Sequence, residues 1–378
     1  MWSGSRLRDY VDRKSNTMSK ALIAMSGGVD SSMAASFMQE KGYECIGVTM
    51  RLYDNADVAG KSEKTCCSLD DCEDARSVAR RLGIPYYVYD FQKDFRSTVM
   101  EKFVCAYCKG ETPNPCIDCN RYMKFEGLYE RATQLDCDKI VTGHYARVCH
   151  NEETGRYELK KALDATKDQS YVLYALTQDQ LAHTEFPLGE YTKVQIRQMA
   201  EERGFVNARK KDSQDICFVP DGHYQQFIEQ YLGKKLPEGN FVDESGKVLG
   251  RHKGIIYYTI GQRKGLGIAA GTPIFVKEIR PETNEVVIGS NESLFSDTLE
   301  AEDFNWISIA EPGPGVEVPC TAKVRYRHHE QPAVAKVLEN GRVQVVFTEK
   351  QRAITKGQAV VLYDGERVLG GGTICVTS

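Results

Sequence analysis

The chain opens with an alternation of apolar runs and helical periods that begins at Lys20. Ala21-Leu-Ile-Ala-Met25 reads as a buried strand, and the stretch after it sets Met33, Ala34, Phe37 and Met38 on one helical face, with Gly42 as its stop. Residues 45–50 form the next predicted strand. Residues 70–82 form a helix with Ala75, Val78, Ala79 and Leu82 inward, closed by Gly83. Residues 85–91 and 139–142 read as further strands, and residues 94–108 and 121–135 as helices. Strand and helix in turn predict an α/β fold built on an N-terminal doubly wound parallel sheet.

The pattern changes after about Arg203. Helical signals thin, and from Lys253 short β-like runs are joined by the turn sequences Pro281-Glu-Thr-Asn284, Glu339-Asn-Gly341 and Asp364-Gly365. This predicts a C-terminal antiparallel β-barrel. Between residues 210 and 270 the pattern fixes no element. The expected division is a tail over 1–17, an α/β domain over 18–208, a small central domain over 209–275 and the barrel over 276–378.

Composition narrows the class. With 41% apolar and 27% charged residues in 378, and no apolar run near the roughly 20 residues of a membrane span, the chain reads as soluble and cytoplasmic, with no membrane partner. The first 17 residues mix Arg6, Arg8, Arg13 and Lys14 with Asp9 and Asp12 and have no apolar core, so they read as a dispensable tail and not as a secretory signal. A net charge of −4 excludes a uniformly basic nucleic-acid coat. The charge is uneven, however: from Lys247 to Lys277 the chain holds Lys247, Arg251, Lys253, Arg263, Lys264 and Lys277 with His252 and no acidic residue. A second basic cluster reads Lys323-Val-Arg325-Tyr326-Arg327-His328-His329. Basic groups gathered on one face let an acidic protein bind a polyanion. The 13 cysteines are odd in number in a chain without a secretory signal, and read as thiols, metal ligands or redox catalysts before they read as a disulfide framework.

Ser26-Gly-Gly-Val-Asp30-Ser31-Ser32 follows a predicted strand and opens a helix. The glycines allow close backbone approach and the helix start offers unpaired N–H groups, which together make an anion cradle. It is not a Walker loop, because Gly60-Lys-Ser62 has Asn55 where that motif needs glycine. Gly265-Leu-Gly267 with Gly271 lacks the spacing and βαβ setting of a dinucleotide fingerprint. Thr112-Pro-Asn114-Pro115-Cys116-Ile-Asp-Cys119-Asn120 sets a Cys-x-x-Cys pair beside a Pro-stiffened loop, and Ser213-Gln-Asp-Ile-Cys217-Phe218 adds a distant thiol able to resolve a persulfide or disulfide.

The Ser-Gly-Gly-x-Asp-Ser string resembles the pyrophosphate-binding (PP) loop of the ATP pyrophosphatase family. Taken with the cysteine motifs, Thr142-Gly143-His144-Tyr145, Lys167-Asp168-Gln169-Ser170-Tyr171 and Gly261-Gln-Arg-Lys-Gly265-Leu-Gly267, the chain resembles the tRNA-specific 2-thiouridylase family from about Lys20 to Gly372. That resemblance implies ATP-dependent 2-thiolation of the wobble uridine of tRNA, with Mg²⁺ on the nucleotide and a sulfur donor such as a cysteine desulfurase or relay protein as partner. It implies an ATP site of Ala24, Met25, Ser26, Gly27, Gly28, Val29, Asp30 and Ser31, with Met50 and Gly143 against the adenosine. Asn114, Pro115 and Cys116 would meet the target base, Lys167, Asp168 and Gln169 the tRNA, and Arg325 and Tyr326 the tRNA from the barrel. Cys119 would be the first catalytic cysteine and Cys217 the persulfide carrier, with a transient disulfide between them during turnover.

Some members carry Asp where Cys116 stands, so a third thiol here leaves two arrangements open: a persulfide relay, or a [4Fe–4S] cluster held by Cys116, Cys119 and Cys217. Cys105-Ala-Tyr-Cys108 with Cys116 and Cys119 has a zinc-like spacing with a short intervening loop, and Cys66, Cys67 and Cys72 are a weaker metal candidate. Cys45, Cys137, Cys149, Cys320 and Cys375 read as small apolar side chains. His144 reads as a structural hydrogen-bonding group. Two rival readings remain at this level: another loop enzyme acting on a small molecule, against which the basic run 247–277 stands, and a non-catalytic RNA-binding or iron–sulfur carrier protein.

Overall fold

The computed structural model describes residues 18–54, 69–212, 216–219, 222–269 and 271–377; Cys66, Cys67, the Gly60-Lys-Ser62 string and the tail over 1–17 lie outside them. The N-terminal part contains β1 (Lys20–Ala24), α1 (Val29–Glu40), β2 (Glu44–Arg51), α2 (Leu69–Leu82), β3 (Tyr86–Asp90) and β4 (Lys139–Val141). A hairpin follows, β5 (Arg147–Asn151) and β6 (Arg156–Lys160), then β7 (Thr184–Glu185) and α3 (Lys193–Glu202). The sheet runs β3-β2-β1-β4-β7 with every pairing parallel. Side chains alternate across β1: Ala21 and Ile23 enter the core under α1, α2 and α3 with Met33, Val78 and Ile196, while Leu22 enters the opposite core with Phe95, Phe103 and Leu128. Both faces are covered, as a parallel sheet requires.

Strand order reverses at β1. The chain steps outward to β2 and β3, then returns to β4 on the other side, which leaves a crevice beyond the carboxyl ends of β1 and β4. The predicted α/β class and its parallel sheet are therefore present, and the strands and helices near 45–50 and 70–82 sit within a residue or so of their expected places.

The stretch that gave no clear pattern contains α4 (Tyr224–Leu232), β8 (Gly239–Val242) and β9 (Val248–His252). These strands join β10 (Phe275–Arg280) and β11 (Glu285–Gly289) in a sheet ordered β10-β11-β8-β9. The remaining strands are β12 (Phe295–Trp306), β13 (Glu317–Lys323), β14 (Gln331–Val337), β15 (Val343–Arg352), β16 (Ala359–Asp364) and β17 (Arg367–Thr377). They run β12-β15-β14-β13-β16-β17, and β17 pairs back on β12, closing the predicted antiparallel barrel.

The hairpin β5–β6 was not expected. It leaves the parallel sheet and adds to β17, with Lys160 opposite Arg367. Gly371 of β17 shows how closely the two units meet: a Cβ there would lie 2.7 Å from the Tyr174 ring. Glycine is needed where that ring presses on the strand. No described helix is long and apolar enough to cross a membrane.

Candidate active site

The loop over residues 26–28 sits at the switch point, between β1 and α1. Its shape is set by its own side chains: Ser31 Oγ accepts from the Ser26 N–H at 3.1 Å and donates to the Gly28 oxygen at 3.1 Å, and Ser32 Oγ donates to the same oxygen at 3.0 Å. Gly27 has φ +74°, and a Cβ on it would fall 2.4 Å from the Asp71 carbonyl, so only glycine fits. Gly143, just past β4, closes the other wall; a Cβ there would lie 2.7 Å from the Ser31 nitrogen. Met50 is buried at the end of β2. Gly143 thus lies against Asp30 and Ser31 of the loop, whereas Met25 and Val29 are buried in the core beneath it.

Besides Tyr145 and Lys167, which stand in motifs quoted above, residues that the sequence did not single out hold this loop. Asn207 Nδ2 donates to the Gly27 oxygen and to Ser32 Oγ, each at 2.9 Å. Lys210 Nζ lies 2.5 Å from Asp71 and 2.5 Å from Asp74, and 3.4 Å from the Gly27 oxygen. Lys193 Nζ bonds both oxygens of Asp30, at 2.8 and 2.7 Å, and Tyr145 donates to Asp30 Oδ1 at 2.8 Å. Lys193 also meets Asp212 at 2.8 Å, which in turn holds Lys167 and Arg197 at 2.8 Å. Burial would raise the Asp212 carboxyl, but the hydrogen bonds and charges of Lys167 and Lys193 outweigh it and hold it down at about 2. For Asn207, Lys210 and Asp212 the one signal in the sequence is their nearness to the Cys217 motif, and Lys193 and Arg197 had none.

His144 is buried. Desolvation, with Lys124 adding to it, holds its pKa well below the ordinary imidazole value, so the ring is neutral between Thr142 Oγ1 at 2.7 Å and Lys124 at 3.5 Å. This is the hydrogen-bonded, structural setting expected of it.

The cysteine loop is built by capping. Asn114 is the N-cap of the short helix Pro115–Asp118, accepting from the Cys116 N–H at 3.2 Å, with Pro115 buried at the first helical position. Cys116 is exposed, and Cys119 opens a π-helical stretch, Cys119–Gly127, a widening frequent at functional sites. Cys217 is held from a distance: its carbonyl accepts from the Tyr53 hydroxyl at 2.8 Å, and Phe218 beside it meets the rings of Phe95, Phe103 and Phe227 within 5.7 Å. Cys119 and Cys217 pack against the same apolar core. Two other units grip this loop. Gln358 donates to the Thr112 oxygen at 2.7 Å, Thr112 N–H donates to Lys356 at 2.9 Å, and Gly110 lies under Ile279 of β10.

The residues expected to face tRNA are partly turned inward. Asp168 accepts from the Ala162 and Ser170 backbone and from Ser170 Oγ at 2.8 Å, and Gln169 accepts from the Tyr145 N–H. Lys167 points to Asp212. Tyr326 is 40% exposed and donates to the Asp168 oxygen at 3.2 Å, while Arg325 donates to the Arg352 oxygen at 2.9 Å. Of the acid-free run, Lys247, Arg251, Lys253, Arg263 and Lys264 are exposed. His252 is buried, bonded to Asn284 and held neutral chiefly by desolvation, so it adds no charge there. Among the described residues, no three His, Cys, Asp or Glu side chains are grouped to hold a metal, which leaves the iron–sulfur cluster and the zinc spacing unsupported. Burial pushes the thiols of Cys45 and Cys137 up to about 11 and of Cys320 up to about 12, in keeping with inert packing.

A parallel sheet with a glycine-bearing loop at its switch point defines a doubly wound α/β protein, whose crevice lies at the carboxyl ends of β1 and β4. The chain matches the families described as tRNA methyl transferase HUP domain over residues 19–221, tRNA methyl transferase PRC-barrel domain over 225–290 and aminomethyltransferase beta-barrel domain over 296–374. It is 52% identical over 358 residues to the tRNA-specific 2-thiouridylase MnmA of Lachnoclostridium phytofermentans, covering 94% of this chain and 99% of that one. It is 51% identical over 367 residues to the protein of the same name from Carboxydothermus hydrogenoformans, covering 97% and 99%. The chain belongs to the tRNA-specific 2-thiouridylase family. A solved 4-thiouridine synthetase–RNA complex with bound ATP aligns at TM-score 0.37 and 19% identity over 57% of this chain and 50% of that one, too slight a likeness to carry argument.

Proposed function

We propose that the protein is a tRNA-uridine 2-sulfurtransferase that uses ATP to replace the C2 oxygen of a tRNA wobble uridine with sulfur. The observation that carries this reading is the loop at the switch point, walled by Gly143 and bonded to the stretch 207–212 that runs on to Cys217. The methyl-transfer names of the matched families find no support in this site, whereas a pyrophosphate cradle and two positioned thiols suit thiolation.

The chemistry follows from what each group can do. A uracil C2 oxygen leaves poorly, so transfer of AMP to it from ATP, with release of pyrophosphate, makes it a leaving group. The loop N–H groups and the Ser31 and Ser32 region would take the phosphate charge. Asp30 Oδ1 is taken by Tyr145 and Lys193, and Oδ2 accepts from Lys193 alone, so Oδ2 keeps a lone pair that would hold Mg²⁺, which needs only one or two carboxylates besides phosphate oxygens; the ion would supply charge to neutralise the leaving pyrophosphate. Sulfur arrives as the outer atom of a Cys217 persulfide and attacks C2, and the C2–O bond to AMP breaks. The Cys119 thiolate then attacks Cys217 Sγ, breaking the S–S bond and leaving the outer sulfur on C2. The product is 2-thiouridine and a Cys119–Cys217 disulfide, which an external dithiol reduces with two electrons. The persulfide comes from a cysteine desulfurase or relay protein. The wobble base must be turned out of its stack toward Asn114, Pro115 and Cys116. Lys167, Asp168, Gln169, Arg325 and Tyr326 would order the tRNA side, with the central sheet and barrel giving it a surface.

The test is to incubate purified protein with unmodified tRNA, MgATP and a persulfide donor and to weigh the tRNA nucleosides. ATP-dependent appearance of 2-thiouridine is expected. Its absence with every tRNA supplied would overturn the reading.

A further inference from the structure

Lys193 stands against two ordinary preferences. It is the first residue of α3, where the positive end of the helix disfavours a cation, and its side chain is only 9% exposed, an uncommon setting for lysine. Departures of this kind concentrate where function demands them. Its ammonium makes three close contacts, two with Asp30 and one with Asp212, and its backbone N–H is tied to Asp164 at 3.0 Å. The ammonium therefore has little freedom of position.

Asp30 is the one acid in the first turn of α1, inside the cradle that would take phosphates. A carboxylate at that place repels an anionic ligand unless a cation offsets it. Lys193 supplies that cation, and Lys167 and Arg197 hold Asp212 from its other side. On the Gly27 side Lys210 is taken up by Asp71 and Asp74, and Asp164 holds the Lys193 backbone, so the loop has no surplus of positive charge and the offset of Asp30 falls to Lys193, the cation that touches it. We infer that Lys193 is a positioning residue for the nucleotide: it fixes the Asp30 carboxylate, offsets its charge toward the phosphates, and is itself fixed by Asp212. This rests on the reading that the loop takes ATP.

The role makes a distinctive demand. Metal-free ATP depends on Lys193 to offset Asp30, whereas Mg²⁺ brings a cation of its own. Calorimetric titration of the full chain with ATP, with and without Mg²⁺, reads this directly, and circular dichroism reports folding. In Lys193→Met, metal-free ATP affinity should fall at least about tenfold, and the ratio of affinities with and without Mg²⁺ should rise at least about threefold. Lys193→Arg, which keeps the charge, should hold both to within about threefold of the starting protein. A folded Lys193→Met with unchanged affinities, or with both lowered equally, would overturn the inference. Should Lys193→Met not fold, an unchanged ratio in Lys193→Gln, which is closer in shape and likewise uncharged, overturns it instead. Failure of the unsubstituted protein to bind ATP under either condition would sink the ATP reading itself.

Discussion

The side-chain amide of Gln358 donates to the main-chain oxygen of Thr112 at 2.7 Å, which fastens the C-terminal barrel to the loop that carries Asn114 and Cys116. Next to it, Gly357 has φ +85°, and a Cβ there would come within 3.0 Å of Glu111 and 3.1 Å of the Thr112 nitrogen. Gly357→Ala should therefore shift the cysteine loop without touching the nucleotide loop. Thiolation should fall by about tenfold or more while ATP affinity stays within about twofold, measured by nucleoside mass and by titration. Equal loss of both would show that the barrel does not act through this loop.

Gly143→Ala tests the opposite wall. The added methyl would meet backbone atoms of Asp30 and Ser31 at 2.7 to 2.8 Å, and backbone cannot step aside as a flexible side chain can. ATP affinity should drop at least about tenfold, with the protein still folded. Unchanged affinity would remove Gly143 from the nucleotide site.

Cys217→Ser and Cys119→Ser should each abolish thiolation yet leave tRNA-dependent release of pyrophosphate from ATP detectable, because the thiols act after adenylation. Peptide mass under non-reducing conditions after one turnover should find Cys119 joined to Cys217 in the unsubstituted protein. Retained thiolation in Cys217→Ser would discard the relay.

The stability of the protein should depend on pH through His144. Its folded pKa lies well below 6.5, chiefly through burial, so the unfolded chain binds this proton first as pH falls. Stability from this group is complete above the unfolded value and is lost below about pH 6.5, by at most about 1.4 kcal/mol per pH unit. His144→Gln should flatten the difference between urea unfolding at pH 7.5 and 5.5. Asp212 does not interfere, since its contribution is lost only as pH falls from about 4 toward 2. An unchanged pH slope in His144→Gln would show that the ring is not what titrates.

The exposed run supplies a tRNA test. Arg263 and Lys264 are both exposed on the central unit. Joint replacement by Ala should weaken tRNA binding and make its salt dependence shallower by about two phosphate contacts. A slope that does not move would take these residues off the tRNA surface.

Local pattern was enough for much of this architecture. The apolar runs at 21–25 and 45–50 and the helical face of 70–82 depend on neighbours a few residues apart, so periodicity alone reveals them. The turn-joined strands of the barrel followed for the same reason. The hairpin β5–β6 escaped because its strands are half-exposed and its barrel partner, β17, begins at Arg367. The segment 210–270 escaped because short strands such as Val248–His252 carry few buried positions to set a period.

By itself the sequence determined the chemistry present: a Ser-Gly-Gly-Val-Asp-Ser cradle, a Cys-x-x-Cys pair, a distant Cys217 and an acid-free basic run. Each is a string of near neighbours whose residue types dictate what it can bind. Only the tertiary structure decided how these parts are held. Lys193 reaches Asp30 across 163 positions, Asn207 reaches Gly27 across 180, and Gln358 reaches Thr112 across 246. Such contacts depend on which elements the folded core brings together, so no local spacing could have announced them. The same packing turned Asp168 and His252 inward, because a buried polar group must find partners wherever the fold provides them.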